Sequence, residues 1–170
     1  GFGMYLEQCG GGAAEGVDIE FQDDGRIILH GSQQCNGQGH QTTVTQILSD
    51  RLGSDADLIT VIQGDSNRSP RGPTGGARMT AVLGSATALA AAKIIDLAMP
   101  LAAEHLGCDL DDLRFDDGLF LRADTNQSIA LEELVRHLAV PGALHRLNCA
   151  QPYETDGATY PYGCHIVEVD

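Results

Sequence analysis

Glycine governs how this chain can be divided. Its 21 glycines crowd into residues 1–16, 31–39 and 64–76 and leave 81–106 nearly free of them. A residue without Cβ suits turns and weakens the interiors of helices and strands, so the crowded windows are loops and the stretches between them carry regular structure. Residues 17–21, Val-Asp-Ile-Glu-Phe, alternate apolar and polar with period two; Asp23-Asp24-Gly25 supplies turn chemistry, and Arg26-Ile27-Ile28-Leu29 follows. That order predicts a β-hairpin. After the loop 31–39, Val44, Ile47, Leu48 and Leu52 recur at helical spacing from about His40, with Gly53 as the stop. Residues 58–62 form a short apolar, β-rich run that predicts a buried strand, and the loop 64–76 leads into a second helix from about Met79.

That second helix is rich in Ala, with Val82, Leu83, Ala86, Leu89, Ala90, Ile94 and Leu97 on adjoining faces, which predicts close packing on most sides. Pro100 is expected to kink it or end it near Met99. Leu113-Arg114-Phe115, Asp116-Asp117-Gly118 and Leu119-Phe120-Leu121 predict a second hairpin with the same Asp-Asp-Gly turn as the first. Ser128 precedes a helix expected over 129–138, with Glu132 and Glu133 in its first turn and Arg136 and His137 in its last, an order that suits the helix dipole. Residues 141–163 read as loop and 164–170 as a final strand. Strand–loop–helix occurs twice, with an antiparallel hairpin toward each end. The expected class is therefore α+β: a mixed, largely antiparallel sheet with helices packed on one face.

The 24 acidic residues outnumber the 10 basic ones, for a formal charge of −14. Such a chain repels phosphate backbones and anionic membranes, so nucleic acid is not an expected partner. Any phosphorylated ligand has to rest on backbone N–H groups. The longest apolar run, 79–103, contains Lys93, Asp96 and Pro100 and reads as a buried helix of a soluble protein, with no membrane span. The cysteines Cys9, Cys35, Cys108, Cys149 and Cys164 form no C-x-x-C pair. That disfavours a disulfide framework and structural zinc and points to reduced thiols in the cytoplasm, with the periplasm as the alternative. No basic stretch precedes an apolar one near the start, although a first residue of Gly1 leaves a preceding leader open.

Two segments have the chemistry of a ligand cradle. Asn36-Gly37-Gln38-Gly39-His40-Gln41-Thr42-Thr43 sets two glycines at a helix start, where the backbone approaches a ligand closely and first-turn N–H groups point at it. Gln38 between them offers a donor and an acceptor to the edge of a heterocycle. The plainer reading is a strand-to-helix turn capped by Thr42 or Thr43, which G-x-G alone favours. Gly64-Asp65-Ser66, followed by Pro73-Thr74-Gly75-Gly76-Ala77-Arg78-Met79-Thr80, repeats the logic. Here Arg78 is a cation that either forks onto a phosphate or braces the loop, and Arg68 and Arg71 add a local reversal of charge. Other sites fit poorly. A Rossmann fingerprint lacks its third glycine at Thr42, no Gly-Lys-Ser/Thr or G-x-S-x-G occurs, and Cys35 with His40 is a weak catalytic pair. His30, His105, His137, His145 and His165 show no metal-ligand spacing, and the acidic turns at 109–112 and 116–117 lack the calcium-loop pattern.

Taken in order, Gly31-Ser32, Gly37-Gln38-Gly39-His40-Gln41-Thr42-Thr43 with Gln46-Ile47, Gly64-Asp65-Ser66, Thr74-Gly75-Gly76-Ala77-Arg78, and Tyr160-Pro161-Tyr162-Gly163-Cys164-His165 leading to Val167-Glu168-Val169-Asp170 carry a family likeness. The chain resembles, from Glu20 to Asp170, the molybdopterin-binding large subunit of the xanthine dehydrogenase, aldehyde oxidase and carbon monoxide dehydrogenase family. The resemblance implies that both glycine loops cradle a molybdenum–molybdopterin cofactor, in bacterial members as molybdopterin cytosine dinucleotide. The pterin dithiolene holds the metal, so no protein metal ligand is implied. Carried over residue by residue, Gly37, Gln38, Gly39 and His40 fall on the first loop's cofactor contacts and Thr43 on its helix-start hydroxyl, while Thr74, Gly75, Gly76, Ala77 and Arg78 fall on the second loop. Ala77 and Met79 depart from the family, which usually carries hydroxyl residues on both sides of the Arg, so contacts there are expected from the backbone at Gly75 and Gly76.

The family's general base, a Glu in a Gly-Val-Gly-Glu segment, and its upstream glycine-rich loop with an aromatic residue are not among these 170 residues. The resemblance therefore implies that 1–170 is part of a cofactor-binding domain whose catalytic segments lie elsewhere. Assembled, it belongs to an oxidoreductase that hydroxylates aldehydes or N-heterocycles with water as oxygen source; alone, it is expected to be inactive. The implied partners are the remaining part of the molybdenum subunit and subunits carrying iron–sulfur clusters and FAD. The alternative is a non-catalytic, degenerate binding or assembly domain of the same fold. A hydrolase using Cys35 or Asp65 is the more distant reading.

Overall fold

A computed structural model describes residues 1–8, 14–65, 67–68, 74–123, 125–143 and 145–169. In chain order the elements are β1 (Phe2–Leu6), β2 (Ala14–Phe21), β3 (Ile27–Gly31), α1 (His40–Leu52), β4 (Ile59–Gln63), α2 (Met79–Leu106), β5 (Leu113–Asp116), β6 (Leu119–Arg122), β7 (Ser128–Ala130), α3 (Leu131–Leu138), β8 (Cys149–Glu154) and β9 (Tyr162–Ile166). The main sheet has the order β4-β3-β2-β8, antiparallel except where β3 and β4 run parallel. Parallel neighbours need a crossover, and α1 is that crossover. A meander of β5, β6 and β7 and a ribbon of β1 with β9 complete the sheets. The fold is α+β with mixed, mostly antiparallel pairing, as the two hairpins required.

Alternation decides which face is covered. Val17, Ile19 and Phe21 of β2, Ile27 and Leu29 of β3, and Ile59 and Val61 of β4 are buried. Against them lie α1, through Val44, Leu48 and Leu52 at intervals of four, and α2, through residues such as Leu83, Ala90, Ile94 and Ala98. Small side chains let α2 pack against α1, β2 and β8 and, further along, the meander. Its length and composition would also suit a membrane crossing. Here its alanines fill a protein core.

Several expectations are corrected. The helix passes through Pro100 without ending at Met99. Pro100 is exposed, and the carbonyl it leaves without a partner belongs to exposed Asp96, so the lost bond faces water. Ile129 and Ala130 belong to β7, and α3 starts only at Leu131, because cross-strand pairing with β6 claims those residues. Within 141–163 the chain forms β8, whose Cys149 and Tyr153 face the core. Residues 2–6, inside the first glycine-rich window, form the strand β1, and its partner β9 starts at Tyr162 and stops at Ile166, earlier than the expected final strand; Asp170 lies outside the described residues.

The two Asp-Asp-Gly turns differ. In the first, Gln22 N–H donates to Arg26 at 2.8 Å and Gly25 sits at φ 92, a three-residue loop. In the second, Asp116 pairs with Leu119, leaving Asp117 (φ 43) and Gly118 (φ 79) as a two-residue turn. That turn presses on the end of α1: a Cβ on Gly118 would lie 2.6 Å from the Gly53 carbonyl oxygen, and one on Gly53 would overlap the Asp117–Gly118 backbone. Gly53 and Gly107 close α1 and α2 in the left-handed region at nearly equal φ, 61 and 62, but Gly107 has nothing within 4 Å of its Cβ position among the described residues. Gly107→Ala should therefore cost about 1–2 kcal/mol from the left-handed backbone alone, and Gly53→Ala a further ~1–3 kcal/mol or more from overlap. Denaturant unfolding of the two variants measures the difference; equal losses would contradict this packing.

Candidate functional site

The first glycine loop leaves β3 at Gly31 and enters α1 at His40. Gly39 is the cap residue, left-handed at φ 74, and no side chain caps the helix. Capping by Thr42 or Thr43 does not occur: the Thr43 hydroxyl donates back to the Gly39 carbonyl at 3.1 Å, which leaves the first-turn N–H groups without a hydroxyl partner. The loop wraps around Cys35 instead. Gly37 N–H donates to its Sγ at 3.4 Å, and the N–H groups of His40, Gly37, Gly39 and Gln38 hold the Cys35 thiol below the usual cysteine range. A cluster of converging amides that stabilises a thiolate is an anion nest built from backbone alone. Gln38 folds back on the same loop, its Oε1 accepting Asn36 N–H at 2.6 Å and lying 3.7 Å from Cys35 Sγ.

The second loop starts after β4. Asp65 Oδ1 accepts Asn67 N–H at 2.9 Å, an Asx turn, while Ser66 and Arg71 lie outside the described residues. Gly76 (φ 58) and Ala77 (φ 50) are consecutive left-handed residues ahead of α2, so Ala77 holds a conformation that costs a residue with a Cβ. The two loops meet: the Thr74 hydroxyl donates to the Gln34 carbonyl, and a cavity of about 370 Å³ opens between Gln38, His40 and Thr43 on one side and Thr74, Gly75, Ala77, Arg78, Met79 and Thr80 on the other. The N-termini of α1 and α2 thus border one space. Gly37, Gly39 and Gly76 shape the loops without lining the cavity.

Two side chains of the site are tied from behind. Buried His40 has its Nδ1 3.4 Å from Gln63 Nε2, which donates to the Gln33 carbonyl; desolvation pushes the His40 pKa down, so the ring is neutral near pH 7. Arg78 braces its loop, with Nε 3.0 Å from Oε1 of Glu15, a carboxylate that is fully buried. Sequence reasoning missed Glu15. The available signal was register: Glu15 shares the inward parity of Val17, Ile19 and Phe21, where a carboxylate needs a partner. Arg68 does not join the site; it pairs with Glu20 at 2.9 Å beside His30. A larger depression of about 420 Å³ lies there, walled by Glu20, Asp24, Arg26 and Arg68, whose charges already neutralise one another.

Comparison with known proteins decides what this cradle belongs to. The family model for the molybdopterin cofactor-binding domain matches residues 1–170. The chain belongs to the molybdopterin cofactor-binding domain family. The resemblance of these motifs to the xanthine dehydrogenase family is borne out. This cofactor-binding domain is 32% identical to the carbon monoxide dehydrogenase large chain of Hydrogenophaga pseudoflava, over 95% of this chain and 21% of that one. It is 28% identical to subunit gamma of the 6-hydroxypseudooxynicotine dehydrogenase complex of Paenarthrobacter nicotinovorans, over 100% of this chain and 22% of the relative. The crystal structure of Cu,Mo carbon monoxide dehydrogenase in its carbon monoxide reduced state superposes with a TM-score of 0.85 at 29% identity, covering 96% of this chain and 23% of the other. The chain therefore spans about a fifth of the length of the curated relatives it matches.

The amide nest has a chemical signature. Cys35 should react with iodoacetamide faster than Cys149, whose thiol burial pushes up, and its rate should rise with pH earlier than that of a free cysteine. Mass-spectrometric alkylation of the native protein across pH 6 to 9 tests this; a Cys35 profile no different from that of a free thiol would contradict the nest.

Proposed function

We propose that this chain forms one wall of the molybdopterin site in a larger molybdenum hydroxylase, an oxidoreductase acting on aldehydes or N-heterocycles. The observation that carries this reading is the meeting of two glycine loops, each opening a helix, around one cavity joined by Thr74 and Gln34. The residues fit the group. Cβ positions at Gly37, Gly39 and Gly75 meet nothing within 4 Å among the described residues, so a planar, polar cofactor can approach the backbone there, and backbone N–H groups suit its polar edge and a pyrophosphate in a chain with a charge of −14. Gln38, His40 and Thr43 would hold the first-loop side, and Thr74, Gly75, Ala77 and Arg78 the second. When bound, the molybdenum cofactor supplies the redox chemistry of the hydroxylation. The chain's own residues bind and orient it, and neutral His40 adds no charge to the wall.

The rest of the assembly is part of the same proposal. The ribbon of β1 and β9 exposes Phe2, Met4, Leu6, Tyr162 and Ile166, each 67–82% accessible. A two-stranded ribbon with such a surface is marginal in water, so it suits contact with the remaining part of the molybdenum subunit. Iron–sulfur and FAD subunits would receive the electrons. We read α2 as a core helix, and the thiols Cys35, Cys108, Cys149 and Cys164 as those of a cytoplasmic protein; Cys9 lies outside the described residues. A second reading, a non-catalytic domain of the same fold, draws on Ala77 and Met79, which line the cavity in place of hydroxyl residues.

Molybdenum per protein, measured on the large subunit assembled around this chain, tests the proposal. Gln38→Ala should weaken cofactor binding by about 1–3 kcal/mol. Gly39→Val should do worse, because φ 74 excludes a β-branched residue. Thr155→Ala, in the late loop, should match the parent. Equal metal in Gln38→Ala and the parent would remove Gln38 from the site, and a parent without molybdenum or pterin would favour the non-catalytic reading.

A further inference from the structure

We propose that Glu15 is the positioning residue of the cradle: its one buried carboxylate grips both loops and sets the spacing between them. The inference rests on the cofactor reading above for its purpose, but its geometry stands independently. Glu15 projects from β2 into the inward register, behind the cavity, with its side chain fully buried. One oxygen, Oε1, lies 3.0 Å from Arg78 Nε at the start of α2. The other, Oε2, accepts the Ser32 hydroxyl at 3.3 Å and the amide of buried Gln33, both in the loop that leads to α1. From Gln33 the path continues through its carbonyl to Gln63, and from Gln63 to His40. No other acid among the described residues is as enclosed.

The chemistry of the group explains why a carboxylate stands here. A carboxylate carries two acceptor oxygens, so it receives donors from opposite sides at once; a carboxamide has one acceptor and one donor end. Replacing Glu15 by Gln therefore removes the charge that faces Arg78 and turns an N–H₂ group toward either Arg78 or the Ser32–Gln33 pair, which then has to reorient to accept from it, so the grip on at least one loop weakens. Removing the charge of one member of a buried ion pair also weakens the hold on the other. Burial pushes the Glu15 pKa up while Gln33, Arg78 and Ser32 draw it back, as expected for an acid whose ionised form depends on those three partners.

Amide hydrogen exchange on the 170-residue protein tests this. In Glu15→Gln, amides at 32–39 or 75–79 should exchange about tenfold faster or more, while those of Ile19 and Leu29 in the core strands keep the parent's rate. Arg78→Gln should give the same pattern in the second loop, and the double variant should be no faster there than either single one, since both remove the same link. If Glu15→Gln does not fold, Arg78→Gln alone still reads loop protection. Unchanged loop exchange, additive effects, or equal acceleration of core and loops would overturn the proposal. On the assembled large subunit, Glu15→Gln should lower molybdenum per folded protein. A parent without cofactor would sink the cofactor reading and leave the exchange result to decide Glu15.

Discussion

A carboxylate in the inward register of an apolar strand must be answered by donors, and in this chain the answers come from the two segments that form the cavity. Glu15 draws in Arg78 from one side and Ser32 with Gln33 from the other. The sheet is thereby linked to both helix starts through one carboxyl group. Around it the ordinary hydrophobic term does the bulk of folding: β2, β3 and β4 bury alternate residues under α1 and α2, and the alanines of α2 allow close approach. The polar network adds geometry to that burial, because a buried network holds its members in one arrangement.

The anion chemistry of the site follows from the same economy of charge. The chain has few cations, and Arg78 is matched to Glu15 while Arg68 is matched to Glu20. Backbone N–H groups carry the work at the first loop, where four amides converge on Cys35 and hold its thiol down. Such a nest keeps a fixed partial positive charge without a basic side chain, which suits the acidic chain of a cofactor-binding family.

Much of this was legible in the residues. Period-two alternation at 17–21 and the spacing of Val44, Leu48 and Leu52 located β2 and α1, and the glycine clusters located both loops, because these signals are local. The misses are tertiary. The apolar side chains of β1 gain meaning only from β9, more than 150 residues later, and β8 is a strand because β2 offers it an edge. Pro100 stayed inside a helix because the carbonyl it strands faces solvent, and Ile129 with Ala130 joined β6 in preference to α3. At the site, sequence located the loops but not their join: that Thr74 reaches Gln34, that Gln38 turns back toward Asn36, and that Glu15 stands behind both are facts of packing.

The central claim is that these loops form a single cradle for a molybdopterin cofactor. A crystal structure of the assembled, cofactor-loaded large subunit tests it most directly. The account predicts polar atoms of the cofactor within hydrogen-bond reach of Gln38, His40 or Thr43 on one side and of Thr74, Gly75 or Ala77 on the other, with Arg78 still on Glu15. A cofactor bound elsewhere in the subunit, with the cavity between Gln38 and Thr74 filled by protein, would contradict it.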